Sequence, residues 1–506
     1  MQCNDDKRPI EAPTPSLSPG ETRQGSRYFV LLAIAGFFLA RIPVLPRRLF
    51  DPDELEHAHA AWCVFKGMIP YKDFFEHHTP FYYYALSPFF QWFHVDLSFE
   101  SARHFLIFGR GLSVVLAILA VLLIIPIGRL LEDRNVGLWA GLLLAVQPFF
   151  FQKTVEIRPD VLALPFFLGS LWFLLRGLAR TADLAKRSLW SFLGGGICLG
   201  AAILCTQKML FALPGLLAGL GIWALFAGTK LGLGSRILGA MAFLLGLCVP
   251  TTLTWAAFAL HHGGGEFIAN NFLLNSKWKH VSHEQILRFL ETSWPVLVLF
   301  LLGASVSLHR FFRSEECPYG GFLLLCTLLG LIAGILVVPG AHRQYYLMPL
   351  PIVCLFAAKG LFFLVERARE RARGWLLIVA TIPLAVLPVL HLRDSFTSRN
   401  DAQLARLRYV FESTKPTDVV MDGIEGSGVF RPHALYHFFL HAEILDMLSR
   451  EQVDAYVDAL ESGKIRPRLI ALDENLIALG TRFLRFVKRN YESSDGFFYF
   501  SKDRNP

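Results

Sequence analysis

From Tyr28 to about His391 the chain is a succession of apolar stretches about 20 residues long, and this recurrence limits its possible folds more than any other feature. Twenty helical residues rise about 30 Å, the thickness of a bilayer's hydrocarbon core. Inside that core only helices or closed barrels pair every backbone N–H and C=O. With 54% hydrophobic and 18% charged residues, the chain reads as an α-helical polytopic membrane protein rather than a soluble one. The region after it has ordinary globular composition. The expected organisation is a disordered tail over 1–27, a membrane domain over 28–393 with an outer loop at 47–105, and a small α/β domain over 394–506.

Apolar runs between charged or Gly/Pro breaks predict eleven spans, near 28–46, 106–128, 136–152, 160–176, 189–206, 209–227, 238–258, 293–308, 321–338, 345–364 and 375–391. An odd number puts the two ends on opposite sides of the membrane. With the N-terminus inside, Arg129/Arg134, Arg176/Arg180/Lys186/Arg187, Lys230/Arg236, Arg310/Arg313 and Arg367/Arg369/Arg371/Arg373 all fall in cytoplasmic loops, as the positive-inside rule asks. The first span is too long for a signal-peptide core and shows no small-residue cleavage site, so it reads as a retained anchor. The loop 47–105 and the C-terminal domain are then extracytoplasmic. The net charge of +8 is explained by these loops, and no basic face suggests nucleic acid. The eight cysteines leave the C-terminal domain empty and carry no disulfide framework.

Carboxylates cost about 2.5 to 3.5 kcal/mol each at the centre of a membrane helix, so acids at a membrane edge need a reason. Asp51-Pro52-Asp53-Glu54-Leu55-Glu56 follows the first span directly. All of the 16 histidines except His309 fall on the outer side or at its edge, among them His57, His59, His77, His78 and His342, which suits proton transfer, phosphate contact or metal ligation. Glu56-His57-Ala58-His59 and His77-His78 lack the spacing of a zinc signature, so a metal stays undetermined. The rest of the outer loop, with its Tyr and Phe around Phe74-Phe75-Glu76-His77-His78-Thr79-Pro80, predicts short amphipathic helices lying in the interface. Further ionisable residues stand at outer edges: Arg158-Pro159-Asp160, where Asp160 is also suited to cap a helix, Lys208, and His342-Arg343 before Tyr345.

This ordered set resembles the GT-C membrane glycosyltransferases of glycosyltransferase family 39. It comprises Pro52-Asp53-Glu54 after the first span, the Gly67/Pro70/Tyr71 turn, Glu76-His77-His78-Thr79-Pro80 before aromatics, Arg158-Pro159-Asp160, Lys208, and Tyr345-Tyr346-Leu347-Met348-Pro349. The pattern, spread over about 28–391, is similar to that of the protein O-mannosyltransferases and the lipid A aminoarabinose transferase. The latter has Glu-Lys-Pro where this chain has Glu76-His77-His78-Thr79-Pro80. The resemblance implies a GT-C fold and an inverting transfer outside the cytoplasm, at a bacterial inner membrane. It also implies a polyprenyl-phosphate-linked sugar as co-substrate. The acceptor would be a hydroxyl or phosphate of a glycolipid, polysaccharide or protein. By carry-over Asp53 is the candidate base and Glu54 its partner. The resemblance fixes no cofactor, and a divalent metal is left open.

The chemistry agrees with that expectation. An acceptor hydroxyl becomes a good nucleophile when a positioned carboxylate takes its proton. A leaving lipid phosphate needs preorganised cations, which Lys208, Arg158, Arg343 or His342 supply. Glu76, His77, His78, Asp160 and Tyr345 are candidate substrate or loop residues. The rival reading is a transporter or flippase of lipid-linked saccharides. Such a carrier calls for broken segments near the midplane in paired repeats, and the sequence shows no convincing repeat.

After Asp394 the pattern alternates. Helices are expected at about 402–413, 436–448, after the capping box Ser449-Arg450-Glu451-Gln452, and at 476–489; strands are expected at 418–422, 468–473 and 497–501. Gly423, Gly426 and Gly428 read as loop glycines.

Overall fold

The computed structural model describes residues 19–179, 185–226, 232–274, 284–313, 319–338, 340–368, 382, 384, 386, 389–493 and 495–502. Among the described residues nine helices are long and apolar enough to cross a membrane: Arg27–Val44, Phe99–Leu131, Pro159–Leu178, Ser188–Cys205, Gln207–Phe226, Leu233–Leu260, Glu284–Arg313, Tyr319–Val337 and Pro349–Arg367. The chain is thus a multi-pass membrane protein. A tenth apolar helix, Arg134–Val146, is shorter. The expected run 136–152 is not one helix, because Gln147 is extended (ψ 129°) and Pro148 opens a separate helix, Pro148–Lys153. A residue preceding proline is driven out of the α region, which explains the break. Most of the eleventh expected span, 375–391, lies outside the described residues, as does the tail up to residue 18. Residues 19–27, placed in a disordered tail by composition, belong to helix α1 (Pro19–Leu39).

The helices pack side by side: Ala185–Cys205 contacts both Pro159–Leu178 and Leu233–Leu260, and Glu284–Arg313 contacts Pro349–Arg367. In the second pairing Gly303 and Gly360 face each other. A Cβ on Gly303 would stand 1.9 Å from the Phe356 carbonyl oxygen, and one on Gly360 2.2 Å from that of Leu299. Small residues let these backbones touch where the hydrophobic effect offers no force between helices in lipid.

The loop 47–105 departs from the interfacial expectation. Helix α2 (Pro52–Phe65) is buried on every side from Glu54 to Cys63 rather than exposing a polar face. Its apolar residues pack with Phe74, Tyr82, Tyr83, Phe90 and Phe105, and with Leu407, Val429 and Phe430 of the C-terminal region. That region therefore sits directly on α2. At the contact Gly426 has φ +67°, and a Cβ there would stand 2.5 Å from Leu55, so glycine serves both the turn and the close approach.

The C-terminal region carries a four-stranded sheet of order β1-β2-β4-β3, with β1 Val420–Met421, β2 Leu469–Ala471, β3 Tyr491–Glu492 and β4 Phe498–Ser501. β1 and β2 are parallel, and the other pairings are antiparallel. The capping box at Ser449 forms as read and starts Arg450–Glu461. Two expected helices are shorter than their patterns. Residues 436–441 are not helical, leaving Ala442–Met447, and the run 476–489 breaks at Gly480 (φ +105°) into Glu474–Ile477 and Thr481–Asn490.

Candidate active site

The site is built around the start of α2. Asp51 is its N-cap: its side chain accepts from the Asp53 N–H at 3.2 Å, and the Glu54 carboxylate accepts from the Asp51 N–H at 3.0 Å. Pro52 supplies the first helical residue, and the helix dipole favours the acids of this turn. The cap turns Asp53 outward, leaving its side chain 35% exposed, and Glu54 inward, where it is fully buried.

Glu54 therefore does not join Asp53 at the cavity, contrary to the pairing expected from the sequence. Arg110, from the helix Phe99–Leu131, clasps it with Nη2 to Oε1 at 2.7 Å and Nε to Oε2 at 2.8 Å. The same guanidinium donates to the carbonyls of Leu45, Arg48 and Leu49, while Glu54 Oε2 accepts from the Ile157 N–H. A two-pronged pair sealed from water fixes three backbone segments at once. Glu54 thus ties the start of α2 to Arg110 and to the Ile157 backbone.

Asp53 opens onto a cavity of about 530 Å³. Arg158, Lys208, His342, Arg343, Tyr345, His77 and His78 all line it. Segments more than 280 residues apart in sequence thus converge on one space. Arg158 donates to Asp53 at 2.8 Å and to Asp51 at 2.7 Å, and also bonds Glu156. Lys208 Nζ bonds Asp160 at 3.0 Å and stands 4.7 Å from the centre of the Tyr345 ring. Asp160 is in the first turn of its helix but does not cap it; its carboxylate serves Lys208. Arg343 is held by neutral partners, Gln285 Oε1 at 3.0 Å and Gln152 Oε1 at 3.1 Å. Among the described residues no carboxylate pairs with it.

Burial pushes the Asp53 carboxyl up, but Arg158, Lys153 and the other charges outweigh this and hold it well below the usual carboxylate range. It stays ionised. Burial and the charge of Glu76 push Glu56 well up, and burial pushes His78 down to about 3 and His342 below its ordinary value. These imidazoles are neutral near pH 7.

Glu76 does not face the cavity. Its Oε1 accepts from the His77 and His78 N–H groups and bonds His78 Nδ1, each at 2.9 Å, so it shapes the loop that carries both histidines. Glu56, Glu76, His77 and His78 bring one ligand atom each within 4.8 Å of one another. Two carboxylates and two imidazoles in that space fit a divalent cation.

Several lining residues escape a reading of the sequence. Arg48 and Lys153 meet Glu156 and Asp51 at the rim, and His441 and Glu443 enter from the C-terminal region, where nothing in the local pattern marks them. The loop Gly423–Gly428 is folded by acids rather than phosphate: Asp473 accepts from the Gly423 and Ile424 N–H groups, and Asp422 from that of Gly428. Loop glycines are what this shows.

Comparison with known proteins follows the same lines. Residues 77–255 match the family described as dolichyl-phosphate-mannose-protein mannosyltransferase. The whole fold is similar to ArnT from Cupriavidus metallidurans. Bound to undecaprenyl phosphate, that structure gives a TM-score of 0.62 at 13% identity, covering 94% of this chain and 98% of the other. In the apo state the TM-score is 0.64 at 14% identity, with the same coverage. It is also similar to the archaeal oligosaccharyltransferase AglB from Archaeoglobus fulgidus, solved with an inhibitory peptide and a dolichol-phosphate. There the TM-score is 0.58 at 13% identity, covering 95% of this chain and 75% of that one. No curated protein matches the sequence. The chain thus shares the overall fold of these membrane proteins, the fold class its motifs led one to expect.

Proposed function

We propose that the protein is an inverting glycosyltransferase that moves a hexose or pentose from a polyprenyl-phosphate donor to a hydroxyl or phosphate acceptor of an envelope glycolipid, polysaccharide or protein. The observation that carries this reading is the single cavity lined by the Asp53 carboxylate and by Arg158, Lys208 and Arg343. The polyprenyl phosphates named with the ArnT and AglB structures support the class of donor.

In this mechanism Arg343, which among the described residues has two glutamine side chains and no carboxylate as partners, takes the donor phosphate with Lys208, and both offset the charge that grows as the phosphate leaves. Asp53 accepts the acceptor's proton. In the resting cavity Arg158 keeps Asp53 a weak base; a bound phosphate competes for that guanidinium, and the Asp53 pKa then rises toward the range useful for proton transfer. Proton acceptance is thereby coupled to donor binding. Glu54 is not placed to meet the acceptor, since Arg110 and two backbone N–H groups occupy its carboxylate oxygens. A divalent cation held by Glu56, Glu76, His77 and His78 would add positive charge at the same wall.

The cytoplasmic bias of Arg and Lys supports an inner-membrane orientation with the N-terminus inside, and the cavity and C-terminal region outside. The test is reconstitution in liposomes with labelled polyprenyl-phosphate hexose and pentose donors and an envelope glycolipid fraction. Transfer that needs the lipid-linked donor supports the reading. Failure to consume any such donor, by protein shown to be folded, would reject it.

A further inference from the structure

A second cluster lies on the face of α2 turned toward the C-terminal region, and among the described residues Glu56 lines both the small cavity beside it and the larger one. His59 and Cys63 stand one helical turn apart, and His433 reaches them from the segment that follows the Gly423–Gly428 loop. His59 Nε2 is 2.8 Å from His433 Nδ1 and 3.4 Å from Cys63 Sγ, and Cys63 Sγ is 3.8 Å from His433 Nδ1.

These separations are those of a ligand set. Around a tetrahedral zinc ion, with Zn–N near 2.0–2.1 Å and Zn–S near 2.3 Å, two nitrogens stand about 3.3 Å apart and a nitrogen and sulfur about 3.6 Å. All three observed distances lie within about 0.5 Å of those values. His59 is also oriented for the task. Its Nδ1 is 2.8 Å from the Val429 carbonyl oxygen, which can only accept, so Nδ1 carries the proton and the Nε2 lone pair points at the other two groups. A backbone carbonyl that fixes the tautomer in this way is the usual support of a metal-bound imidazole. A fourth ligand has room as well: a cavity of about 30 Å³, lined by His59, His433 and Glu56, takes one water.

We propose that His59, Cys63 and His433 bind a zinc ion that ties the C-terminal region to α2. Two imidazoles and a thiolate form a borderline-soft set that suits this ion. On binding, the Cys63 thiol releases its proton to solvent, and the His433 Nδ1 proton moves to Nε2, leaving both atoms free to ligate. The ion would fix the helix whose first turn carries Asp53 to the segment that brings His441 and Glu443 to the cavity.

The test uses the full chain in detergent, purified without chelator, then stripped and reloaded. Metal analysis should find zinc, with one equivalent fewer in Cys63→Ser and in His433→Asn. Cobalt added to the stripped wild-type protein should give a thiolate-to-cobalt charge-transfer band in the near ultraviolet. Cobalt on carboxylates and imidazoles alone cannot produce that band, so this readout needs no variant to fold. Zinc should raise the thermal midpoint of the stripped wild-type protein and leave that of His433→Asn unmoved. If cobalt gives no thiolate band and zinc does not shift the wild-type midpoint, the cluster is a hydrogen-bonded trio and the proposal fails.

Discussion

Arg158 donates to the Asp53 carboxylate at 2.8 Å while also holding Asp51 and Glu156, so the candidate base and one candidate phosphate ligand are each other's partner in the resting cavity. An incoming phosphate has to be recruited by other cations before it can compete for Arg158. Arg343, whose partners among the described residues are two side-chain amides, is placed to do that.

Replacing Arg343 should therefore act on donor binding. Arg343→Gln is expected to raise the donor KM about tenfold or more with a smaller effect on kcat, since a charge-assisted contact of about 1.5 to 3 kcal/mol is lost. Initial rates against donor concentration check it. Lys208→Ala is a less clean probe, because it leaves Asp160 buried without its cation and should cost stability as well as binding.

Breaking the Glu54–Arg110 pair should damage the fold before the chemistry. Glu54→Gln leaves the fully buried Arg110 charge without its counter-ion, at a cost of about 3 to 5 kcal/mol. The expected outcome is a lowered thermal midpoint in detergent. The double change Glu54→Gln with Arg110→Met should recover part of that loss.

His437 makes stability depend on pH. Burial lowers its pKa from 6.5 to about 4, so above pH 6.5 the folded and unfolded forms are both neutral and nothing is lost. As pH falls from 6.5 toward 4 only the unfolded chain takes up the proton, and stability falls by about 1 to 2 kcal/mol at pH 5. Thermal midpoints of wild type and His437→Asn should converge in slope above pH 6.5 and diverge below it.

Asp53, Arg158 and Lys208 were legible in the sequence because each borders an apolar run, where an ionisable group is costly and therefore conspicuous. Glu54 was equally conspicuous yet misassigned: adjacent residues on a helix point in different directions, and which of the two faces the cavity depends on Arg110, 56 residues further on. His441 and Glu443 carried no signal, since polar residues are unremarkable in a globular segment. The buried state of α2 was hidden for a related reason. Its alternating acids, histidines and alanines suit an interfacial helix, and the aromatic residues of 74–105 together with the C-terminal region packed over it through Gly426 and Val429 remove its exposed face. Helix positions in the membrane were the easiest to read, apart from the break that Pro148 imposes after Gln147.

The central claim is that Asp53 takes the acceptor's proton in a cavity that holds the donor phosphate. Asp53→Asn keeps the size of the side chain and its place on the cavity wall, so the protein should fold and still bind donor. Transfer from a polyprenyl-phosphate sugar in single-turnover conditions should fall about 10² to 10⁴-fold. Transfer at the wild-type rate by a folded Asp53→Asn protein would contradict the account.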